Sequence, residues 1–196
     1  MYFIKNVAML SNLQGSLSHF NGLFHVSEEP GITVFGPRPS PSHFEAITGD
    51  VVFAISGNFL HNYLLPRDCP RVSYYVGANT TETDKDRFIG SSNANSVIVV
   101  ESGWYRRIRE IILYCYEFST GNFALLDECA GYYISYNAEI PIAVSEVNDV
   151  MGELLNRDIE LRFTPDIVNL ADSVRRSSLN FSLIRLRNTK AGSTIF

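Results

Sequence analysis

A histidine interrupts a short apolar stretch near the N-terminus, in the sequence LFHVS at residues 23–27. The aromatic and β-branched neighbours are typical of a strand, which we expect to end at the EEP that follows. Strand side chains repeat every two residues on one face, so His25 and Ser27 point the same way. An imidazole and a hydroxyl side by side can offer a donor and an acceptor to a polar ligand. The alternative is a histidine that is hydrogen bonded within the core.

Three arginines lie in proline-containing turns, within PRP at 37–39 and PRDCPR at 66–71. Proline fixes φ, and a stiff backbone favours a prepared anion site over a solvated tail. Arg38, Arg67 and Arg71 are therefore expected not all to point into solvent, and guanidinium groups suit a diphosphate. The alternative is internal pairing with Asp68 or Glu28.

A tyrosine and two carboxylates complete the candidate residues. Tyr63 lies in a short predicted helix, eleven residues after Val52 in a buried-type strand; its ring contacts either a ligand or the core. Asp127 and Glu128 precede a strand that begins at Gly131. Carboxylates in this position are either solvated turn residues or groups that act on a sugar hydroxyl.

The composition is that of an ordinary globular protein, with 196 residues, 45% hydrophobic and 19% charged. A net charge of -5 argues against general binding to a nucleic-acid backbone. No apolar run reaches the roughly 18 residues of a membrane span, and the N-terminus does not read as a signal peptide. The three cysteines do not have the spacing of a metal site, and we expect them to be buried, reduced thiols in a cytoplasmic protein.

The periodicity predicts a mixed, mainly antiparallel α+β domain over residues 22–190, preceded by an arm at 1–21 and followed by a tail at 191–196. Residues 132–135 and 140–144 are expected to form a further pair of strands, or one long strand with a kink near Pro141. Thr164-Pro165-Asp166 predicts the N-terminus of the last helix, to about Arg176. The other predicted strands are 23–27, 51–55, 71–76, 97–100, 111–118 and 181–187. The other predicted helices are 58–65, 104–110 and 148–156, with one turn at 82–88.

Together, three stretches resemble the ADP-ribosyltransferase superfamily. LFHVS (23–27) is similar to its first strand, with Val26 in place of the usual glycine. The superfamily has two tyrosines eleven residues apart in its next motif. VFAI…NY (52–63) keeps this spacing and the second tyrosine, Tyr63, but has Val52 in place of the first. GYYI (131–134) resembles the third motif, but Gly131 stands where the superfamily has a glutamate. YISYNAEIPIAVSEVNDVM is also similar to a strand of the rifampicin-inactivating ADP-ribosyltransferases, which lack that glutamate.

The resemblance implies split antiparallel sheets with short flanking helices and a cleft that holds NAD as substrate. It implies that His25 binds the nicotinamide ribose, that Tyr63 stacks on the nicotinamide, and that Ser27 supports the first strand. Asp127 or Glu128 would supply the missing carboxylate, which stabilises the cationic sugar as nicotinamide leaves.

These observations lead to three hypotheses. The first is an NAD-dependent ADP-ribosyltransferase-like enzyme that acts on an unknown acceptor. The second is a non-catalytic protein of the same fold that binds a nucleotide or a partner. The third is a structural protein in which His25 and Tyr63 belong to the core. From about Leu23 to Asn188, including HVSEEPGI and NYLLPRDCPR, the chain more closely resembles a bacterial family known only as a domain of unknown function.

Overall fold

The computed structural model describes residues 22–40 and 44–190; the expected arm and tail lie outside the described residues. Ten strands and four short α-helices form this part of the chain, an α+β architecture. The strands are β1 Leu23–Ser27, β2 Val52–Ser56, β3 Arg71–Tyr75, β4 Ser96–Glu101, β5 Leu113–Phe118, β6 Ala124–Asp127, β7 Tyr132–Ser135, β8 Ala143–Val147, β9 Ile159–Thr164 and β10 Asn180–Ile184. The α-helices are α1 Glu82–Phe88, α2 Tyr105–Glu110, α3 Val150–Leu155 and α4 Val168–Arg175.

The strands form two sheets. The six-stranded sheet has the order β6-β7-β2-β1-β5-β8, and all of its neighbours are antiparallel. The four-stranded sheet has the order β10-β3-β4-β9 and is mixed, because β4 and β9 run parallel. The chain leaves the smaller sheet after β4, builds β5 to β8 of the larger one, and returns for β9 and β10.

Three apolar clusters show how the layers pack. The first lies between the sheets and combines Phe24 and Ile55 of the larger sheet with Ile98 and Val100 of the smaller one. The second joins the outer face of the smaller sheet to α1 and α4. The third lies on the outer face of the larger sheet, around Leu23. Each sheet therefore has an inter-sheet face and an outer face.

A 3₁₀ helix, Gly57–Tyr63, follows β2 directly and replaces the predicted helix at 58–65. It lies against the core between the sheets, and Leu60, Leu64 and Leu65 are almost fully buried there. The tight 3₁₀ turn places residues i and i+3 on the same side. Asn58 and His61 thus share one side, whereas Leu60 and Tyr63 share another.

Residues 132–135 and 140–144 do not form one kinked strand, and the two separate strands found here do not pair with each other. β7 pairs with β2 and β6, whereas the next strand starts at Ala143 and pairs with β5 at the opposite edge of the sheet. The intervening residues cross the sheet, with Glu139 bridging to Phe35 on the way. Alternating apolar residues identified both segments as strands, but they carry no information about which neighbour each strand selects.

The predicted start of the last helix is also wrong. Thr164 is the last residue of β9, and α4 begins at Val168. The Asp166 carboxylate accepts the N–H of Val168 at 2.9 Å, so the acid serves the first helical turn as expected, whereas Thr164 donates to the Asp166 carbonyl. β6 and β9 were not predicted.

Candidate functional site

His25 lies on the outer face of the six-stranded sheet. It alternates with Phe24 and Val26, which face the inter-sheet core, and its ring centroid lies 4.8 Å from that of Phe35 in the outer cluster. Its Nδ1 donates to the Phe53 carbonyl at 3.0 Å. Burial lowers the pKa of His25, the bond to Phe53 opposes this, and the nearby arginine charges add to the lowering. The imidazole is neutral and anchored by the backbone.

Ser27 and Glu28 hold the turn after β1. The Ser27 hydroxyl accepts the N–H of Glu29 at 3.0 Å, which closes a local turn. Glu28 accepts the Arg67 N–H at 2.9 Å and pairs with the guanidinium of Arg107 at 2.6 Å. Glu28 therefore fastens the end of β1 to the turn at Arg67 and to helix α2, whereas Ser27 acts within its own turn.

Tyr63 lies on the other side of the sheet, against the inter-sheet core. Its hydroxyl donates to that of Tyr132 at 2.7 Å, and the Arg71 guanidinium lies 5.7 Å from its ring centroid. Burial is the main reason that the pKa of Tyr63 is raised, so the phenol is neutral. The expectation that His25 and Tyr63 line one cleft is not supported, because they occupy opposite faces of the same sheet.

Arg71 is a buried cation, 2% exposed. Its Nε donates to the Asn62 carbonyl at 2.7 Å, and its Nη1 to the carbonyls of Cys69 at 2.9 Å and Pro66 at 3.3 Å. Among residues 22–40 and 44–190, no carboxylate pairs with it, and the expected alternative of an Asp68 partner is not observed. Backbone oxygens therefore solvate this charge without neutralising it.

Arg185, which was not predicted as a site residue, follows β10 and stands next to the strand position that pairs with Arg71. It adopts a left-handed backbone conformation with φ of 57°, which is uncommon for a residue other than glycine. It is half-buried. Burial is the largest influence on the pKa of Tyr63 and of Arg71; the positive charge of Arg185 partly opposes the raised pKa of Tyr63 and adds to the lowering of the pKa of Arg71. Within the described part of the chain, its guanidinium has no hydrogen bond or ion pair. Tyr63, Arg71, Tyr132 and Arg185 form what we call the tyrosine–arginine cluster.

Arg38 and Arg67 do not join this cluster. Both are exposed, and both lower the pKa of His25. The backbone of Arg38 bridges to Val51, with N···O distances of 3.0 and 2.9 Å. Of the three arginines expected to share an anion site, only Arg71 is buried, and the structure does not bring the three together.

The structure separates the two candidate carboxylates from each other. Asp127 ends β6 opposite Tyr132, and residues opposite each other in a pair share a face, so Asp127 lies on the inter-sheet face. Its Oδ1 accepts the Ala130 N–H at 3.0 Å. Burial is the main reason that the pKa of Tyr75 is raised, and the charge of Asp127 adds a smaller contribution. Glu128 is an exposed turn residue.

Gly131 occupies the position where the resemblance expects a glutamate. Its φ is 67°, and a Cβ there would lie 2.4 Å from Cδ2 of Phe59 and 2.5 Å from Oγ of Ser56. Contacts this short are essentially never seen for a real Cβ, so any side chain at this position would force Phe59 and Ser56 to shift and would strain the left-handed backbone.

Three buried carboxylates were not predicted, and each has a partner within the protein. Glu101 accepts the Lys190 N–H at 3.1 Å, Glu153 pairs with Arg157 at 3.1 Å, and Glu139 accepts from Ser135 and Asn122. These glutamates stabilise loops and helices, and none of them is left available for a ligand cation.

Two thiols are buried, as expected, and one is not. Burial raises the pKa of Cys69 and Cys115 to about 12, whereas Cys129 is exposed in the turn after β6. Over 22–40 and 44–190, no cluster of three or more His, Cys, Asp or Glu residues is suited to a metal ion. The helices in those two ranges are all too short or too polar to cross a membrane.

Comparison with known proteins yields one match. Residues 24–189 match a family described as "Family of unknown function (DUF6886)". No curated protein and no solved structure matches the chain.

Proposed function

The chain belongs to the DUF6886 family, whose function is unknown, and we propose that it binds a nucleotide, with NAD as the first ligand to test. The observation that carries this proposal is the tyrosine–arginine cluster. Two arginines without a carboxylate partner in the described chain act on one tyrosine pair. A phosphate group would supply the missing negative charge and the hydrogen-bond acceptors.

Arg185 contributes most to the argument. A non-glycine residue in the left-handed region costs about 1–2 kcal/mol, and such strain concentrates at functional sites. Its half-buried charge also repels that of the buried Arg71. An anion bound between the two would relieve this repulsion, which gives a physical reason for placing a strained arginine here.

The tyrosine pair leaves one hydroxyl donor for a ligand. Tyr63 gives its hydroxyl proton to Tyr132, so the Tyr132 hydroxyl keeps its own proton for another acceptor. No acceptor for that proton is found in the described residues, and Tyr132 is half-buried. A phosphate oxygen or a ribose hydroxyl would satisfy it.

The binding proposal is tested by calorimetry with inorganic pyrophosphate and with NAD. We expect both to bind, and Arg185→Ala to weaken binding at least tenfold, because a charge-assisted hydrogen bond contributes about 1.5–3 kcal/mol. Arg187→Ala is the matched control, since Arg187 is exposed two residues further on. Failure of the wild type to bind either ligand, or equal losses in both variants, would overturn the proposal.

ADP-ribosyl transfer from NAD to an acceptor is the second candidate function. It draws support from the position of Asp127, which faces the same side as Tyr132, and from the resemblance of three motifs. In this reaction the C1'–N bond to nicotinamide breaks, neutral nicotinamide leaves with the electron pair, and the carboxylate stabilises the cationic ribose until the acceptor attacks. His25 takes no part in this version, because it faces the other way.

Release of nicotinamide from NAD tests this second function. Asp127→Asn is expected to lower turnover about 10²–10³-fold with NAD affinity nearly unchanged, because the interaction forms mainly in the transition state. Glu128→Gln serves as the comparison, since Glu128 is exposed in the adjacent turn. If the wild type binds NAD but releases no nicotinamide, only the binding function remains. If turnover falls in Glu128→Gln and not in Asp127→Asn, Glu128 is the carboxylate.

A further inference from the structure

A second site lies on the other side of the Gly57–Tyr63 3₁₀ helix. A cavity of about 300 Å³ opens there between the helix and the ends of three strands of the smaller sheet. Its lining comprises Asn58, Phe59, His61, Tyr75, Asn95, Ser96, Arg157 and Ile159. Because Asn58 and His61 share one side of the 3₁₀ helix and Tyr63 lies on another, the cavity is distinct from the tyrosine–arginine cluster.

His61 is the residue in this cavity that lacks a partner. Its side chain is 8% exposed, and its Nε2 is buried without a hydrogen bond in the described structure. Burial, helped by the charge of Arg157, lowers the pKa of His61 to about 4, while a hydrogen bond with the Asn58 backbone opposes the shift. The imidazole is therefore neutral near pH 7. We assign its proton to Nδ1, which then serves the Asn58 backbone, and this assignment leaves Nε2 as an acceptor.

None of the groups that line the cavity donates to Nε2 in the described structure. The Tyr75 hydroxyl donates to the Cys129 carbonyl at 3.5 Å, and the Ser96 hydroxyl donates to the Tyr74 carbonyl at 3.2 Å. The Asn95 amide donates to the Arg157 carbonyl at 3.5 Å. Because Nε2 has almost no accessible surface, a small rotation of the His61 ring must first open it to the cavity. A ligand that brings its own donor would then satisfy this nitrogen, which otherwise stays unpaired at a cost in free energy.

The walls and the charge define the class of ligand. The Phe59 and Tyr75 ring centroids lie 5.9 Å apart at an interplanar angle of 54°, and Phe59 also lies 6.4 Å from His61. Arg157 already pairs with the buried Glu153 at 3.1 Å, so its charge is balanced within the protein. Aromatic walls and a balanced charge suit a flat, uncharged ring, and the volume is at the small end of ligand sites.

We propose that this cavity binds an uncharged heteroaromatic ring, such as a nucleobase, that donates an N–H to Nε2 of His61. The site does not depend on the proposed nucleotide phosphate site. It uses different residues, and its ligand requires no phosphate.

Benzimidazole and 1-methylbenzimidazole are the matched probes, because they differ in the one N–H that His61 would accept. At pH 7.5, with ¹⁵N-labelled histidine, benzimidazole should saturate with a Kd of about 1 mM or lower and move the Nε2 resonance of His61. The methylated probe should bind at least tenfold more weakly, because it cannot make the hydrogen bond. Absence of saturation, equal affinity for the two probes, or an unmoved His61 resonance would overturn the proposal.

Variants separate this site from the other. His61→Phe keeps an aromatic ring but removes the acceptor nitrogen. It should weaken benzimidazole binding at least tenfold and leave pyrophosphate binding unchanged. Arg185→Ala should weaken pyrophosphate binding and leave benzimidazole binding unchanged. If His61→Phe does not fold, the wild-type titration with the two probes still decides the question. Loss of benzimidazole binding in Arg185→Ala would show that the cavity is not an independent site and would overturn the proposal.

Discussion

Similar side chains lie on the two sides of the six-stranded sheet, but they differ in whether their hydrogen-bonding groups have partners. On the outer face, Nδ1 of His25 donates to a backbone carbonyl, and the Tyr116 hydroxyl donates to the Glu29 carbonyl at 2.8 Å while accepting the Ile32 N–H at 3.1 Å. On the inter-sheet side, Nε2 of His61 has no partner in the described chain, and Arg185 has none for its guanidinium. The presence of a histidine or tyrosine therefore does not mark a site; unfilled hydrogen-bonding capacity does.

The largest effect is expected from Arg71 on the inter-sheet face. Arg71→Met should lower the free energy of unfolding by about 3 kcal/mol or more, because three buried carbonyls lose a charged donor. Chemical denaturation measures this change. Arg67→Met is the exposed control and should stay within about 0.5 kcal/mol. Equal effects would mean that the buried guanidinium does not organise the cluster.

Gly131 tests how closely the 3₁₀ helix packs against the larger sheet. Gly131→Ala should cost about 2 kcal/mol or more, because it combines a left-handed backbone with contacts too short for a Cβ. Gly36→Ala is the control, since a Cβ at Gly36 meets nothing within 4 Å. Thermal or chemical unfolding of the two variants measures the difference, and a tolerated alanine at 131 would contradict the packing described above.

The pH dependence of stability compares the two histidines. The pKa of His61 is about 4 in the folded protein against 6.5 when unfolded, so the unfolded chain binds more protons between these values. Its contribution is complete well above pH 6.5 and is lost as the pH falls towards 4, with about 2 kcal/mol lost by pH 5. His25 acts in the same direction, because its pKa is also lowered. Denaturation at several pH values should show that the free energy of unfolding falls less at acidic pH in His61→Phe than in the wild type.

A substitution at Tyr116 tests the outer face of the six-stranded sheet. Tyr116→Phe removes the hydroxyl that fastens the chain around Glu29 and Ile32 to the sheet, and should cost about 1 kcal/mol. Binding of pyrophosphate and of benzimidazole should not change, because the residue faces away from both sites. A loss of either affinity would show that the two faces are coupled and would break the distinction drawn here.

The smallest effect is expected from relieving strain at Arg185. Arg185→Gly should leave stability unchanged or raise it by up to about 1 kcal/mol, since glycine adopts a positive φ freely. The same variant should lose pyrophosphate binding. Asp158→Gly is the matched control, because Asp158 has φ of 56° and lies outside the cluster. Asp158→Gly should keep pyrophosphate binding. If Arg185→Gly keeps it as well, the strained backbone of Arg185 has a reason other than the ligand.

The sequence identified most strands because their apolar content is local information. The buried β4 and β5 were evident from continuous apolar runs. β6 has two exposed residues among its four and gives a weak signal, whereas β9 alternates Ile159, Leu161 and Phe163 clearly enough to have been found. Strand existence was thus largely predictable, whereas strand pairing depends on contacts between distant segments.

The candidate site was predictable only in part, for the same reason. Tyr63 and Arg71 were identified from residue types close together in the chain. Arg185 joins them because β10 pairs with β3, and Tyr132 because β7 pairs with β2. The face on which His25 lies depends on which side of the sheet meets the other sheet. No local pattern encodes either fact.

The parallel pair formed by β4 and β9 has a consequence for folding kinetics. Ser96 pairs with Ile159, so the chain between them must place four strands of the larger sheet before the smaller one is complete. Closing such a long loop precedes any gain from the pairing, which makes this step slow. Because the strands of the two sheets are interleaved along the chain and share one apolar core, we expect the two sheets to unfold in a single transition. Residues of β9 should affect the unfolding rate more than the folding rate.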